Sequence, residues 1–456
     1  MAFSSLPSTL AAFLLAIVVL VVIHEFGHYW VARRCGVRVL RFSLGFGKPF
    51  WSRTDRHGTE WAVAPIPLGG YVSMLDEREA PVPESLRHEA FNTRPVSQRI
   101  AIVLAGPMAN LILAVLLYTG LAMYGGTLRI PTLTVPEAGS PAAEAGLRGG
   151  ERILEVGGRA TPGWTDVRWQ LMRQLAAEPG AIAITVAADG VRRTVPLATG
   201  DIRLSAITGD LPGVFGLGVE PPKVQSVIER VAEGGAGERA GFRAGDRIVA
   251  IGGQPVIGWD DFAAQVRESP GRVMAVTVER AGELRELQVT PDTARVGGDA
   301  LGRVGLAPQP DAVWTAAHTQ PHSTGPVDAL VEAVLRTWDT SLFSLRMLGG
   351  MLTGSVSASN LSGPVAIADF AGQSARMGWV SFVGFLALMS ISLGVLNLLP
   401  VPVLDGGHIM YHLLEAVIGR PLPERVMAVG QRIGMAALAA LMLVAFYNDI
   451  QRILTG

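Results

Sequence analysis

The chain has 456 residues, of which 49% are hydrophobic and only 17% charged, and its mean hydropathy is +0.36. A wholly water-soluble protein is excluded, and part of the chain belongs in lipid. A formal net charge of -1, with no Lys/Arg cluster interleaved with aromatics, argues against nucleic acid as a partner. The single cysteine, Cys35, excludes an intramolecular disulfide and any Cys-x-x-Cys metal site, and reads as a small membrane-proximal residue.

The first apolar run, residues 10–31, has roughly the 20 residues needed to cross a hydrocarbon core of about 30 Å. No Lys or Arg precedes it and a His-Glu pair lies inside it, so the expectation is a retained span rather than a cleaved signal. Within it stands "VVIHEFGHYW". Ionisable groups at the centre of a membrane helix cost about 2.5 to 3.5 kcal/mol each, which marks them as functional. His24 and His28 are four apart and share one helix face, with about 6 Å of rise between them, so both imidazoles can reach one metal ion. Glu25, about 100° round the helix, reaches a water at that metal without having to be a ligand. This is the H-E-x-x-H arrangement of zinc hydrolases.

Arg33, Arg34, Arg38, Arg41 and Lys48 follow this span, and Arg94 and Arg99 precede the second, 100–123, so the loop between them is expected to be cytoplasmic. The stretches "VLRFSLGFG" and "TEWAVAPIPLGGYV" in that loop alternate like strands of a hairpin-like element at the membrane. The long segment from about 125 to 375 then faces the other side, the periplasm of a bacterium.

That segment contains a duplication. "AGLRGGERILEVGGRATPGWTDV" from Ala145 is matched by "AGFRAGDRIVAIGGQPVIGWDDF" from Ala240, each followed by alternating strands closed by a turn signal. The pattern resembles the PDZ domains of bacterial proteases, which bind extended peptides by strand addition. The later "GLGVEP" and "RVGLAP" pieces are candidate edge strands, with Val219 and Leu306 as candidate groove residues. From 326 to 376, Leu330, Val334, Leu335, Trp338, Leu342 and Leu345 recur at helical spacing. Arg336, Asp339 and Arg346 argue against a further span, and the stretch is expected along the periplasmic interface.

The third span is expected at 379–399 and the fourth at 426–447, interrupted at its start by Gln431 and Arg432; Arg420 and Arg425 place the loop between them in the cytoplasm. A catalytic zinc usually keeps three protein ligands, so a third is needed. "NLLPVPVLDGGH" offers Asp405, beside glycines that allow close backbone approach. Fourteen helical steps from Leu10 place His24 about 21 Å into the bilayer, about 9 Å from the cytoplasmic boundary, a depth compatible with Asp405 at the end of the third span. Two other i,i+4 histidine pairs read as non-metal: His318/His322 encloses Pro321, and His408/His412 lacks an adjacent carboxylate at position 409.

Taken together, "HEFGH", "GPMAN" (Gly106 to Asn110), the two PDZ-like repeats, "NLSGPVAIA" (Asn360 to Ala368) and "NLLPVPVLDGG" resemble the bacterial site-2 proteases over essentially the whole chain. The resemblance implies an intramembrane zinc endopeptidase that carries out regulated intramembrane proteolysis. His24, His28 and Asp405 would hold Zn2+, Glu25 would be the general base, and Asn397 and Pro400 would lie on the substrate-contacting stretch. Strands of the cytoplasmic loop, at Ser43, Leu44 and Gly45, would pair with the unwound substrate. The implied substrates are single-span membrane proteins already trimmed on the periplasmic side, an anti-sigma factor of envelope stress and remnant signal peptides. The PDZ tandem would act as a size filter or gate.

The expected fold is a multi-domain membrane protein: an α-helical bundle of four spans, a cytoplasmic membrane-associated β element, and two periplasmic PDZ-like domains, mainly β with short helices. The division runs 1–32 (first span), 33–98 (cytoplasmic loop), 99–124 (second span), 125–212 and 213–310 (PDZ-like domains), 311–378 (periplasmic interfacial helices), 379–408 (third span), 409–425 (cytoplasmic loop), 426–448 (fourth span) and 449–456 (tail). The protein is expected as a monomer in the inner membrane, in contact with lipid, with both termini periplasmic and the active site near the cytoplasmic side. Two other readings are a membrane PDZ scaffold with a structural metal, for which Glu25 would have no purpose, and a metal transporter, which would carry ionisable groups in more spans.

Overall fold

The computed structural model describes residues 6–177, 180–200, 202, 210–296, 299–353, 363–420 and 422–455; residues 360–362 of the "NLSGPVAIA" stretch lie outside them. The chain divides into two compact units, one formed by Met1–Gly126 with His322–Asp449, the other by Thr127–Pro321 with the last residues.

The first unit holds four helices long and apolar enough to cross a membrane, Pro7–Arg34, Val96–Tyr124, Trp379–Asn397 and Arg425–Gln451. Each leaves most of its apolar surface outward, which water would penalise and a hydrocarbon core would not. Helix α1 (Leu6–Arg34) ends on Arg33 and Arg34 in its last turn, where cations suit both the helix C-terminus and a lipid boundary. Helix α2 (Val96–Tyr124) is the hub of the unit, packing against α1, against the Trp379–Asn397 helix and against a shorter helix, Asp405–Ile418. Small residues allow these close approaches. A Cβ added at Gly27 would lie 2.3 Å from the Ala105 carbonyl oxygen.

The third span ends earlier than its hydropathy suggests. The helix stops at Asn397, and Asp405 opens the separate Asp405–Ile418 helix instead of closing the same one. Pro400 and Pro402 are the cause: each lacks an N–H and disfavours helical geometry in the residue before it. The intervening chain folds into tight turns, with the Val401 amide donating to the Leu399 carbonyl and the Val403 amide to the Val401 carbonyl.

Between α1 and α2 the loop forms four strands rather than a hairpin: β1 (Val39–Phe46), β2 (Trp51–Thr54), β3 (Glu60–Val63) and β4 (Ile66–Met74), in the order β2-β3-β1-β4. Strand β1 is interior, parallel to β3 (Ser43 opposite Ala62) and antiparallel to β4 (Ser43 opposite Tyr71). Among the described strands, β4 pairs on one side only, with β1. The Pro326–Thr353 helix packs against α2 through Ala329, Ala333, Thr337 and Thr340 and turns Leu330, Val334, Leu335 and Trp338 outward. An outward apolar stripe of this kind requires lipid or a partner to cover it.

The second unit contains the duplicated segments, each with its own core. In the first, Ile153, Val167, Leu171, Ile184 and Leu197 are buried between a four-stranded sheet and the Trp164–Ala177 helix. In the second, Ile248, Phe262, Val276 and Val278 occupy the same place under the Trp259–Arg267 helix. Here the Leu306–Pro310 strand forms a sheet edge, paired on one side with Val224–Val231. Val219 instead bridges back to Leu133 in the first repeat, so the boundary expected at 212 falls several residues too early.

Candidate metal centre

His24 and His28 lie one turn apart on α1, and α2 faces both. A Cβ added at Gly106 would sit 2.2 Å from His28 Nε2, so glycine is what leaves room for that imidazole. The two Nε2 atoms are 3.3 Å apart and their rings meet edge to face at 4.9 Å. From the other side comes Asp405, in the first turn of its helix, with Oδ2 3.1 Å from His24 Nε2 and 3.5 Å from His28 Nε2. Gly406 and Gly407 permit this placement: a Cβ on either would meet the Leu399 or Val401 carbonyl oxygen at 2.2 or 2.3 Å. The "LDGG" stretch is thus an acid held by two glycines that let the preceding turn fold over it.

The ligand atoms of these three side chains lie within 4.8 Å of one another, and among the described residues they form the one such cluster of three or more His, Cys, Asp or Glu. Oδ2 of Asp405 is buried and, despite its nearness to both imidazoles, makes no hydrogen bond of acceptable geometry. A buried, unsatisfied carboxylate oxygen converging with two imidazole nitrogens is costly alone and matches the donor set of a divalent cation. The remaining ring nitrogens face α2. His28 Nδ1 is 2.8 Å from the Ile102 carbonyl oxygen, and His24 Nδ1 is 3.2 Å from the Asn110 side-chain amide. Glu25 sits against β4, its Cγ beside Gly70 and its carboxylate at the Val72 main chain.

The other candidate residues lie elsewhere in the fold. Asn397 is the last residue of its helix and is half-buried, and Pro400 is exposed in the turn that leads to Asp405. Ser43, Leu44 and Gly45 occupy β1, both of whose edges are already paired; Ser43 is buried, with its Oγ donating to the Gly45 carbonyl. The stretch expected to pair with substrate at Ser43, Leu44 and Gly45 is therefore interior, because β3 returns parallel to β1 and fills its other side, and β4 lies at the sheet edge. Leu306, in the second unit, lines a groove of about 330 Å³ with Arg230, Trp259, Phe262, Val266 and Val304. Val219 is half-buried against the first repeat's core.

Neither of the other histidine pairs adds to a metal cluster among the described residues. His318 ends a short helix, Ala312–His318, and stacks on Trp314 at 4.3 Å. His412 is buried beside Arg99, whose guanidinium donates to both carboxylate oxygens of Glu415 at 2.7 and 2.8 Å and lies 3.3 Å from His412 Nδ1. Burial and the adjacent guanidinium push the His412 pKa down to about 4, and the same guanidinium holds Glu415 below its ordinary value. The Arg99–Glu415 pair joins α2 to the helix that carries Asp405, and reading the sequence missed it. Nothing local distinguishes Arg99 from the other loop cations, although its place at the start of a span is a signal in retrospect.

Comparison with known proteins bears on the same residues. The model of peptidase family M50 matches residues 12–441, a region that includes both the His24–His28 segment and Asp405. The chain belongs to peptidase family M50. This M50 protease is 44% identical over 451 residues to the regulator of sigma-E protease RseP of Escherichia coli, covering 97% of this chain and 98% of that one. It is 42% identical over 453 residues to the protease RseP of Yersinia pestis, covering 98% and 99%. A Neisseria meningitidis protein that carries the name of a zinc metalloprotease is 44% identical over 448 residues, covering 98% and 99%. The M50 protease is therefore a zinc metalloprotease, and its four apolar helices make it a multi-pass membrane protein of the site-2 type. A scaffold with a purely structural metal is not favoured.

Proposed function

We propose that His24, His28 and Asp405 are the zinc ligands and that Glu25 is the general base of an intramembrane endopeptidase. The observation that carries this reading is the convergence of three donor atoms from two distant segments, with the buried Asp405 oxygen left without a hydrogen bond. A zinc ion held by these three residues would lower the pKa of a water and polarise a carbonyl. Glu25 takes the proton of the attacking water and returns it to the leaving amine. The ligand imidazoles stay in place because α2 holds the far nitrogen of each.

A substrate helix hides its scissile amide in its own hydrogen-bond ladder and must be unwound before water can attack. Strand β4 supports a role as the replacement partner: it lies at the sheet edge beside Glu25, and an extended segment added there would form main-chain hydrogen bonds next to the centre. The turn from Asn397 to Pro400 is the stretch that would touch the same substrate. Positive charge in the loops around β1–β4 and at Arg420 and Arg425 supports a cytoplasmic position for both, with the termini and the duplicated unit in the periplasm. Each repeat packs a sheet against its longest helix, in keeping with a PDZ tandem, and the Leu306 groove would receive an extended peptide. The substrates of this reading are a trimmed single-span anti-sigma factor and remnant signal peptides, with the tandem excluding proteins that retain large outer domains; the likeness to a protein named a regulator of sigma-E protease supports the first of these.

The test is Glu25→Gln in the full-length protein, assayed on a trimmed single-span substrate. Zinc content should be unchanged while cleavage falls by about 10²- to 10⁴-fold. Wild-type cleavage by this variant would remove Glu25 from the role of base.

A further inference from the structure

Asn110 lies in the middle of α2, fully buried and one turn beyond Gly106. Its main chain is pinned by Ser390, whose Oγ donates to the Asn110 carbonyl at 2.7 Å. Its side-chain Nδ2 is placed 3.2 Å from His24 Nδ1, while Oδ1 is buried with no partner.

A histidine that offers its Nε2 lone pair to a cation must carry its proton on Nδ1, and that N–H needs an acceptor. His28 meets the requirement unambiguously. Its Nδ1 faces the Ile102 carbonyl, which only accepts, so the proton is on Nδ1 and Nε2 is free. His24 has the same requirement, and the group at its Nδ1 is the Asn110 amide. With Nδ2 toward the ring, the amide would donate to Nδ1 and drive the proton onto Nε2, where it would oppose a cation beside Asp405. Amide nitrogen and oxygen have nearly the same shape, and which of them faces a partner is decided by hydrogen-bond logic. A half turn of the amide brings Oδ1 to the ring. The turn leaves Nδ2 where Oδ1 stood, so the imidazole and not the amide's own hydrogen-bond count decides the orientation.

We propose that Asn110 is a positioning residue of the metal centre: its Oδ1 accepts the His24 Nδ1–H and so keeps the Nε2 lone pair turned toward zinc. This inference rests on the ligand assignment made above. Helix α2 then supplies one fixed acceptor to each ligating imidazole, a main-chain oxygen for His28 and a side-chain oxygen for His24. The spacing of "GPMAN" follows from this, since Gly106 clears space for one ring and Asn110, a turn later, orients the other.

The test measures zinc affinity by chelator competition on the full chain purified in detergent. Asn110→Leu, which has similar volume and no acceptor, should bind zinc about 10- to 100-fold more weakly. Asn110→Asp keeps an acceptor and should bind at least as tightly as wild type. Should the leucine variant fold poorly, Asn110→Val takes its place with the same expectation. Wild-type affinity in the folded Leu or Val variant, or a loss in Asn110→Asp equal to theirs, overturns the proposal. His24→Ala separates the two levels. If it keeps wild-type affinity, the ligand assignment itself is wrong; if it loses zinc while Asn110→Leu does not, only the role of Asn110 fails.

Discussion

His24/His28 and His408/His412 have the same spacing, both lie on helices, and both contain a buried imidazole, yet the three-donor cluster forms at the first pair alone among the described residues. The difference lies in what other elements bring to each pair. Asp405 brings an unpaired carboxylate oxygen to His24 and His28, whereas Arg99 brings a guanidinium to His412 and ties up the nearest acid, Glu415. A fixed positive charge 3.3 Å from a ring nitrogen repels a divalent cation, and a carboxylate already gripped at both oxygens has little left to give one. Spacing on a helix proposes a site, and the charge delivered to it from elsewhere decides it.

The comparison breaks most completely by removing the delivered acid. Asp405→Ala should weaken zinc binding by more than about 100-fold and abolish cleavage, read out by zinc content after dialysis against a chelator. At the other pair the effect falls on stability instead. Arg99→Met leaves the half-buried Glu415 without its partner and should cost about 1 to 3 kcal/mol, seen as a drop in the thermal midpoint in detergent. Arg99→Met combined with Glu415→Leu should recover most of that loss, because no charge is then left unpaired. The zinc content of the folded fraction should be unchanged in both variants.

A smaller effect follows from His412. Its pKa in the folded protein, about 4, lies below the ordinary value of 6.5, so the unfolded chain binds the extra proton first as the pH falls. Stability should therefore decline from about pH 6.5 down to pH 4. His412→Gln should flatten that part of the profile of thermal midpoint against pH. The smallest expected effect is the sharpest control: His408→Asn with His412→Gln should leave zinc stoichiometry at the wild-type value.

The duplicated unit shows the same division between local pattern and tertiary context. Both copies carry the same strand, turn and helix signals, and both bury the residues those signals mark. They differ at the strand that pairs with the later edge piece. In the second copy Val224–Val231 is a continuous strand, but the matching part of the first contains Pro131 and Pro136 and is reduced to isolated bridges, Thr132 to Arg152 and Leu133 to Val219. Proline cannot donate to a ladder, so this difference was legible in the sequence. The position of β4 at the sheet edge was not, since strand order depends on β3 inserting parallel to β1, and no alternation of side chains encodes its neighbours.

Hydropathy, loop charge and the H-E-x-x-H spacing determined the four apolar helices, the repeats and one half of the candidate metal centre, because each is a short-range property of the chain: a helix length, a charge count, a four-residue interval. Asp405 was legible as a candidate, since an acid beside two glycines near an apolar segment is an uncommon thing to place by accident. Only the tertiary structure decided that Asp405 opens its own helix after a proline turn, and that Asn110 and Ile102 face the two imidazoles. It alone showed Arg99 disarming the second histidine pair and β4 running beside Glu25. Those are matters of which groups meet across elements far apart in sequence, where packing and charge pairing choose among partners that local sequence leaves equivalent.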